Sequence, residues 1–363
     1  MKYYLLALAL FPSLGFIAGC ASPVYYFHAV SGQLEILNKR RPVEEVLRDP
    51  ATAPRTREQL ELVLRMREFA SRELALPDNR SYRSYADLER PFVIWNVFAT
   101  PELSLEPKQW CFVFAGCVSY RGYFARDKAD VFAAEMKQEG YDVYVGGVPA
   151  YSTLGWFNDP LLNTFIHRSE ADLAGLLFHE LAHQVLYVSD DTAFNESFAT
   201  VVELEGVRRW FERHGTSPQA EAYRQKFERR SQFTTLVLKH KLRLAEIYAS
   251  NLSKAEKRSA KAKIFTELRS DYSALKKTWS GIADFDKWFT QDLNNAHLAA
   301  IALYNQHVAA FQKLLAHHRN DLIAFYRSVK ELAKLPKTER AALLGRILSG
   351  ADSQARFPQG LSA

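Results

Sequence analysis

Hydrophobic and polar positions divide this chain into three stretches of different periodicity. From residue 25 to 75, apolar residues recur at helical spacing between prolines and charges, which predicts short helices. The pattern then changes. Residues 90–98, 110–114 and 141–145 are rich in aromatic and β-branched side chains and predict strands, while 127–139 predicts an amphipathic helix stopped by Gly140. Residues 146–149, with two glycines and a proline, predict a turn closing the last strand. Beyond residues 215–218, leucine, alanine and basic residues keep a helical period to Ser349, with breaks near Asn251, Ser280 and Leu335. The expected class is therefore α+β and predominantly helical, with a small N-terminal β-sheet region and a C-terminal helical lobe.

One predicted helix departs from the amphipathic rule. Residues 173–188 are apolar almost all round, as in a buried helix, and their ionisable side chains are His179, Glu180, His183 and Tyr187. Ser169 to Asp172 has the form of a capping box that starts this helix. Residues 189–192 break it, and a second helix follows over 193–211 with Phe194, Phe198, Val201, Val202, Trp210 and Phe211 on a stripe. A short turn between two helices makes them antiparallel neighbours, so the first turn of the second lies near the end of the first.

That geometry gives the polar residues a chemistry. His179 and His183 are four apart, on one helical face, and can reach a single tetrahedral Zn²⁺. Glu180 projects about 100° around the helix, where a general base must sit without being a ligand. Glu196 is the expected third ligand, and Glu203, two turns further on nearly the same face, is the alternative. Three protein ligands leave room for water and catalysis, whereas a fourth, from Glu203 or Asp190, would close the site into a structural one. Two functions follow: a zinc-dependent peptidase, or a non-catalytic envelope lipoprotein with a structural or vestigial metal site and a partner-binding helical lobe.

The motif followed by Asn195-Glu196 resembles the glutamate-ligand zincins of the thermolysin type. With residues 110–117, 120–124 and 178–183, the chain more closely resembles a bacterial family of putative zinc aminopeptidases with a zincin-type active site. The resemblance implies a zincin-like fold, bound Zn²⁺, peptide substrates and aminopeptidase action. The metzincin pattern does not fit, because Leu186 and Ser189 occupy its glycine and histidine positions. Thr200 stands where the thermolysin type carries an aspartate, so the group supporting His179 is unidentified. Zincins also need an oxyanion donor from the helical lobe that closes the cleft. Tyr304 and His297, seven apart on one face, are the candidates. The strand before residues 146–149 is the expected substrate edge, and residues 150–156 are either a cleft wall or an ordinary connection. No glutamate there would capture a substrate amino terminus, which leaves exopeptidase and endopeptidase action both open.

The N-terminus sets the compartment. Residues 1–19 read as a lipoprotein signal peptide, and residues 17–20 resemble a lipobox, with Cys20 the lipidated residue. Ala21 and Ser22 after it favour the outer membrane, facing the periplasm. Cys111 and Cys117 remain, as a small disulfide loop or as two buried thiols. The net charge is +6, or +5 once Lys2 is removed, and the basic residues are interspersed with acidic ones. A solvated surface is expected, with no nucleic-acid partner. The expected division is signal peptide 1–19, catalytic region 20–215 and helical lobe 216–363.

Overall fold

A computed structural model describes residues 23–350 other than 113–115, 151 and 154–156. The expected signal peptide and Cys20 lie outside the described residues. The chain opens with α1 (Pro23–Lys39), β1 (Arg41–Pro42), α2 (Val43–Arg48) and α3 (Pro54–Glu73). Strands β2 (Ser84–Ala86), β3 (Ile94–Pro101), β4 (Trp110–Phe112), β5 (Gly116–Val118) and β6 (Arg121–Tyr123) follow. They lead into α4 (Arg126–Gln138), β7 (Tyr141–Val148), β8 (Leu161–Leu162) and α5 (Asn163–Ile166). Thereafter the chain is helical: α6 (Glu170–Val185), α7 (Thr192–His214), α8 (Ser217–Ala249) and α9 (Lys254–Thr278). The last five are α10 (Asp286–Phe289), α11 (Asn295–Asn305), α12 (Val308–His317), α13 (Leu322–Ala333) and α14 (Lys337–Ser349). The fold is α+β and predominantly helical.

The strands form small sheets. β3 is the centre of a three-stranded antiparallel sheet between β6 and β7, β4 pairs with β5 in a hairpin, and β1, β2 and β8 form a third sheet. Alternation along β3 sends Trp95, Val97 and Ala99 into a core with Phe132, Ala133 and Met136 of α4. The opposite face, with Ile94, Asn96 and Phe98, looks toward α11, whose Ala296 and Ala300 pack on Phe98.

β7 does not end at residue 145 as expected. It continues through Gly146 and Gly147, which pair with Asn96 and Trp95. A Cβ on Gly147 would meet the Phe92 ring at 2.5 Å. These glycines serve close packing inside a strand rather than a turn.

The largest core joins α3, α6 and α7 through Phe69, Phe178 and Phe198, and it also takes in Phe311, Phe325 and Leu344 of α12–α14. Helices α8 and α9 share a separate core built on Phe233, Val237, Leu268 and Tyr272. Helices α8 and α9 thus have a core of their own, α11 packs against β3, β7 and α7, and α12–α14 return to the core that holds the histidine helix.

Candidate metal centre

The histidine helix begins where its sequence provides a cap: the Ser169 side chain accepts the Asp172 N–H. Buried Leu173, Leu177, Phe178 and Leu181 hold α6 in the main core. α7 starts at Asp191, which accepts the Phe194 N–H. Between them, Asn195 bonds both backbone groups of Val188, donating to its carbonyl and accepting from its N–H, each at 2.8 Å. That clamp turns the chain tightly enough to bring Glu196 back to the histidines.

The helices run antiparallel, since Glu196 lies against His179 and His183 while Glu203 reaches His179 and the Gly175 turn. Glu196 Oε2 is 3.2 Å from His179 Nε2 and 3.8 Å from His183 Nε2. One donor atom from each of the three residues lies within 4.8 Å of the others. The imidazoles stand 4.9 Å apart at 81°.

Glu203 is not part of that donor group. Its Oε2 is 3.1 Å from His179 Nδ1, on the far side of the ring from Glu196. It fills the supporting place that Thr200 leaves vacant, orienting the imidazole and strengthening it as a donor. Close helix contact makes this possible: a Cβ on Gly175 would sit 3.3 Å from Glu203 Cγ. Arg230 in turn reaches Glu203 Oε1 at 3.4 Å. Among the described residues His183 has no counterpart, and its buried Nδ1 meets no hydrogen-bond partner. Asp190, the other alternative ligand, is engaged elsewhere: it accepts the Cys117 N–H, and its carbonyl accepts from Lys337 at 2.6 Å.

The electrostatics favour a cation at the donor group. Burial alone would lower the His179 pKa, but Glu196 and Glu203 overcome it and raise it to about 10. Burial opposes ionisation of both glutamates, yet His183, His179 and Arg230 hold them below the usual carboxylate range. Burial, with His179 adding, pulls His183 down to about 4, which leaves a neutral imidazole with a lone pair to donate. An uncompensated buried carboxylate costs several kcal/mol, so the Glu196 environment calls for positive charge. A proton on His179 provides it here, and a divalent ion would provide it equally. The donor set of two imidazoles and one carboxylate suits Zn²⁺.

Glu180 lines a cleft of about 1020 Å³ together with the three donor residues. Among the described residues its carboxylate has no hydrogen-bond partner. Burial raises its pKa to about 8, with nearby Glu196, Asp159 and Glu203 contributing against the opposing His179. Tyr304, at the end of α11, also lines the cleft, as does Tyr120 just before β6. Burial and then the Glu196 charge raise both phenols well above their ordinary value, so each is a neutral O–H. His297 is placed elsewhere and does not line the cleft. It belongs to the capping box of α11, its Nδ1 lying 3.0 Å from Asn294 Oδ1, and it packs 4.4 Å from Tyr144. The structure thus places His297, an expected oxyanion donor, at the start of α11 and not among the residues lining the cleft.

Two further features bear on the cleft: Asn96 escaped the sequence reading, and the state of Cys111 and Cys117 was left open by it. Asn96, on the cleft face of β3, is only 5% exposed, and its amide has no hydrogen-bond partner among the described residues. It is flanked by Gly122 on β6 and Gly146 on β7, so neither neighbouring strand covers it with a side chain. Second, Cys111 and Cys117 are cross-strand partners in the β4–β5 hairpin and are joined by a disulfide. Phe112 and Val118 of that hairpin line the cleft. Of the expected wall at 150–156, Ala150 and Ser152 line it, while residues 151 and 154–156 lie outside the described ones.

The family model described as putative aminopeptidase matches residues 24–344. The chain belongs to that family. No curated protein and no solved structure matches it.

Proposed function

We propose that this protein is a zinc-dependent peptidase of zincin type, acting as an aminopeptidase. The observation that carries the reading is the convergence of His179, His183 and Glu196 within 4.8 Å in a cleft that Glu180 also lines, without a partner among the described residues. His179, His183 and Glu196 would hold Zn²⁺, which when bound supplies a Lewis acid for the scissile carbonyl and acidifies water. Glu180 takes the proton of the attacking water and returns it to the leaving amine, a task suited to a carboxyl whose pKa burial has raised toward neutrality. Glu203 fixes the His179 ring. Tyr304 donates its O–H to the oxyanion, with Tyr120 beside it.

The structural-site alternative needs a fourth protein ligand. Glu203 and Asp190 are both turned to other partners, which favours an open site and hence catalysis. The family supports exopeptidase action, although the acidic residues lining the cleft are already engaged apart from Glu180. Asp172 is paired with Lys226, and Asp284 with Arg229. We further propose that residues 1–19 are removed, that Cys20 is lipidated, and that the enzyme is held on the outer membrane facing the periplasm. Among the described residues, no helix is long and apolar enough to cross a membrane.

Zinc content and peptide hydrolysis in wild type and Glu180→Gln provide the test. The variant should keep its zinc and lose about 10²–10⁴-fold in rate. Retained zinc with undiminished hydrolysis would remove Glu180 from the mechanism. Cleavage of a free-amine peptide but not its acetylated twin identifies an aminopeptidase.

A further inference from the structure

The outer face of α1 is apolar where a surface helix should be polar. Val24, Phe27, Val30 and Leu34 are 64%, 71%, 58% and 50% exposed. At about 100° per residue they fall within an arc of about 120°. The opposite arc is fixed to the fold. Ile36 is buried, Tyr25, Ala29 and Gln33 line the cleft, and Gly32 lies against the Phe124 ring so closely that a Cβ would meet it at 2.2 Å. Glu35 pairs with Arg90 at 2.8 Å. The helix therefore cannot roll its apolar residues inward. A surface helix apolar on both faces is a helix with a missing partner.

The chain just before α1 identifies that partner. Residues 4–11 are almost wholly apolar, and the lipobox-like residues 17–20 end three residues before Pro23. At about 3.3–3.6 Å per extended residue, this hop holds the start of α1 within about 10 Å of any lipid on Cys20. A bilayer surface is then the apolar phase nearest to Val24 and Phe27.

We infer that the face of α1 formed by Val24, Phe27, Val30 and Leu34 lies in the headgroup–acyl boundary of a phospholipid bilayer. The inference rests on the Cys20 reading for the approach to the membrane and on the helix itself for the docking. Because Tyr25, Ala29 and Gln33 line the cleft on the opposite face of the same helix, docking would leave α1 between the cleft and the membrane surface.

The test uses the full chain in phosphatidylethanolamine–phosphatidylglycerol vesicles containing a doxyl-labelled lipid. Bimane is attached in turn through Phe27→Cys, Leu34→Cys and, as a control of similar exposure on α8, Leu242→Cys. The chain without an added cysteine sets the background. Bimane at positions 27 and 34 should be quenched about twofold or more by the membrane quencher, and at 242 hardly at all. Phe27→Asp with Leu34→Asp should leave the melting temperature unchanged and abolish quenching of bimane placed through Val30→Cys. Quenching at 27 and 34 no greater than at 242 overturns the inference, as does a lowered melting temperature of the double variant, because residues 1–22 or a second copy would then cover the face. The mass of the N-terminal peptide reports acylation of Cys20 separately, so failure of the lipid reading and failure of the docking are told apart.

Discussion

The two walls of the cleft are built in opposite ways. On the helical wall, the linker between α6 and α7 is held from four directions. Asn195 grips Val188, the β4–β5 hairpin donates to Asp190, and Lys337 and Arg340 of α14 bind Asp190 and Asp191. Charge there is matched group by group. The sheet wall instead presents Asn96, without a partner among the described residues, strand glycines beside it, and the phenol of Tyr120, with Tyr304 of α11 lining the same cleft. Fixing a reaction needs geometry that does not move, and reading a substrate needs polar groups left free to bind it. The division between the walls follows that distinction.

Breaking the rigid wall should cost most. Arg340 and Asp191 are 3% and 5% exposed and bond through Nε and Nη2 at 2.9 and 2.8 Å. Arg340→Met leaves the aspartate buried without its cation, and urea unfolding should show a loss of about 3–5 kcal/mol. A loss below about 1 kcal/mol would mean that the linker is held without this pair. Next comes Glu203→Gln. With the His179 support weakened, zinc affinity measured by competition with a chelator should fall about 10–100-fold. An unchanged affinity would return Glu203 to a packing role.

Changes in the loop before β8 and on the sheet wall should be smaller. Asp159 accepts from Thr153 N at 3.0 Å and Oγ1 at 2.7 Å, yet burial raises its pKa to about 6. The folded state therefore binds this proton more tightly than the unfolded one. The stability it contributes is present at low pH and is lost as pH rises from about 4 to about 6, by about 3 kcal/mol. The stability of Asp159→Asn relative to wild type should rise over that window and stay flat above it. A difference independent of pH would refute the assignment. The smallest effect expected is that of Asn96→Ala, with zinc content unchanged and kcat/KM for peptides lowered about tenfold, mostly through KM. A variant equal to wild type would leave the reading of substrate to the tyrosines.

The candidate metal centre was legible because its parts are local. His179 and His183 share a helical face by spacing alone, and a short turn implied that Glu196 would come near. The role of Glu203 was less legible, since it depends on how closely two helices approach. Its available signal was Gly175, one turn before His179 on the same face, where a small residue admits a neighbouring helix. Asn96 gave none, because alternation along a strand shows that a residue faces one side but not what lies opposite. The glycines at 146 and 147 read as a turn, since a glycine needed for close packing looks the same in sequence. His297 was ambiguous for a similar reason: a histidine three residues after Asn294 is equally a capping partner, and its placement is seen only in the fold. The return of α12–α14 to the first core was hidden too, for helical periodicity reveals an apolar face without naming its partner.

The bond from Arg340 to Asp191 also orders events in time. A polypeptide emerging from its N-terminus presents α6 and α7 long before α14, so the start of the glutamate helix waits for its buried cation until nearly the whole chain has appeared. The donor group therefore reaches its final rigidity last.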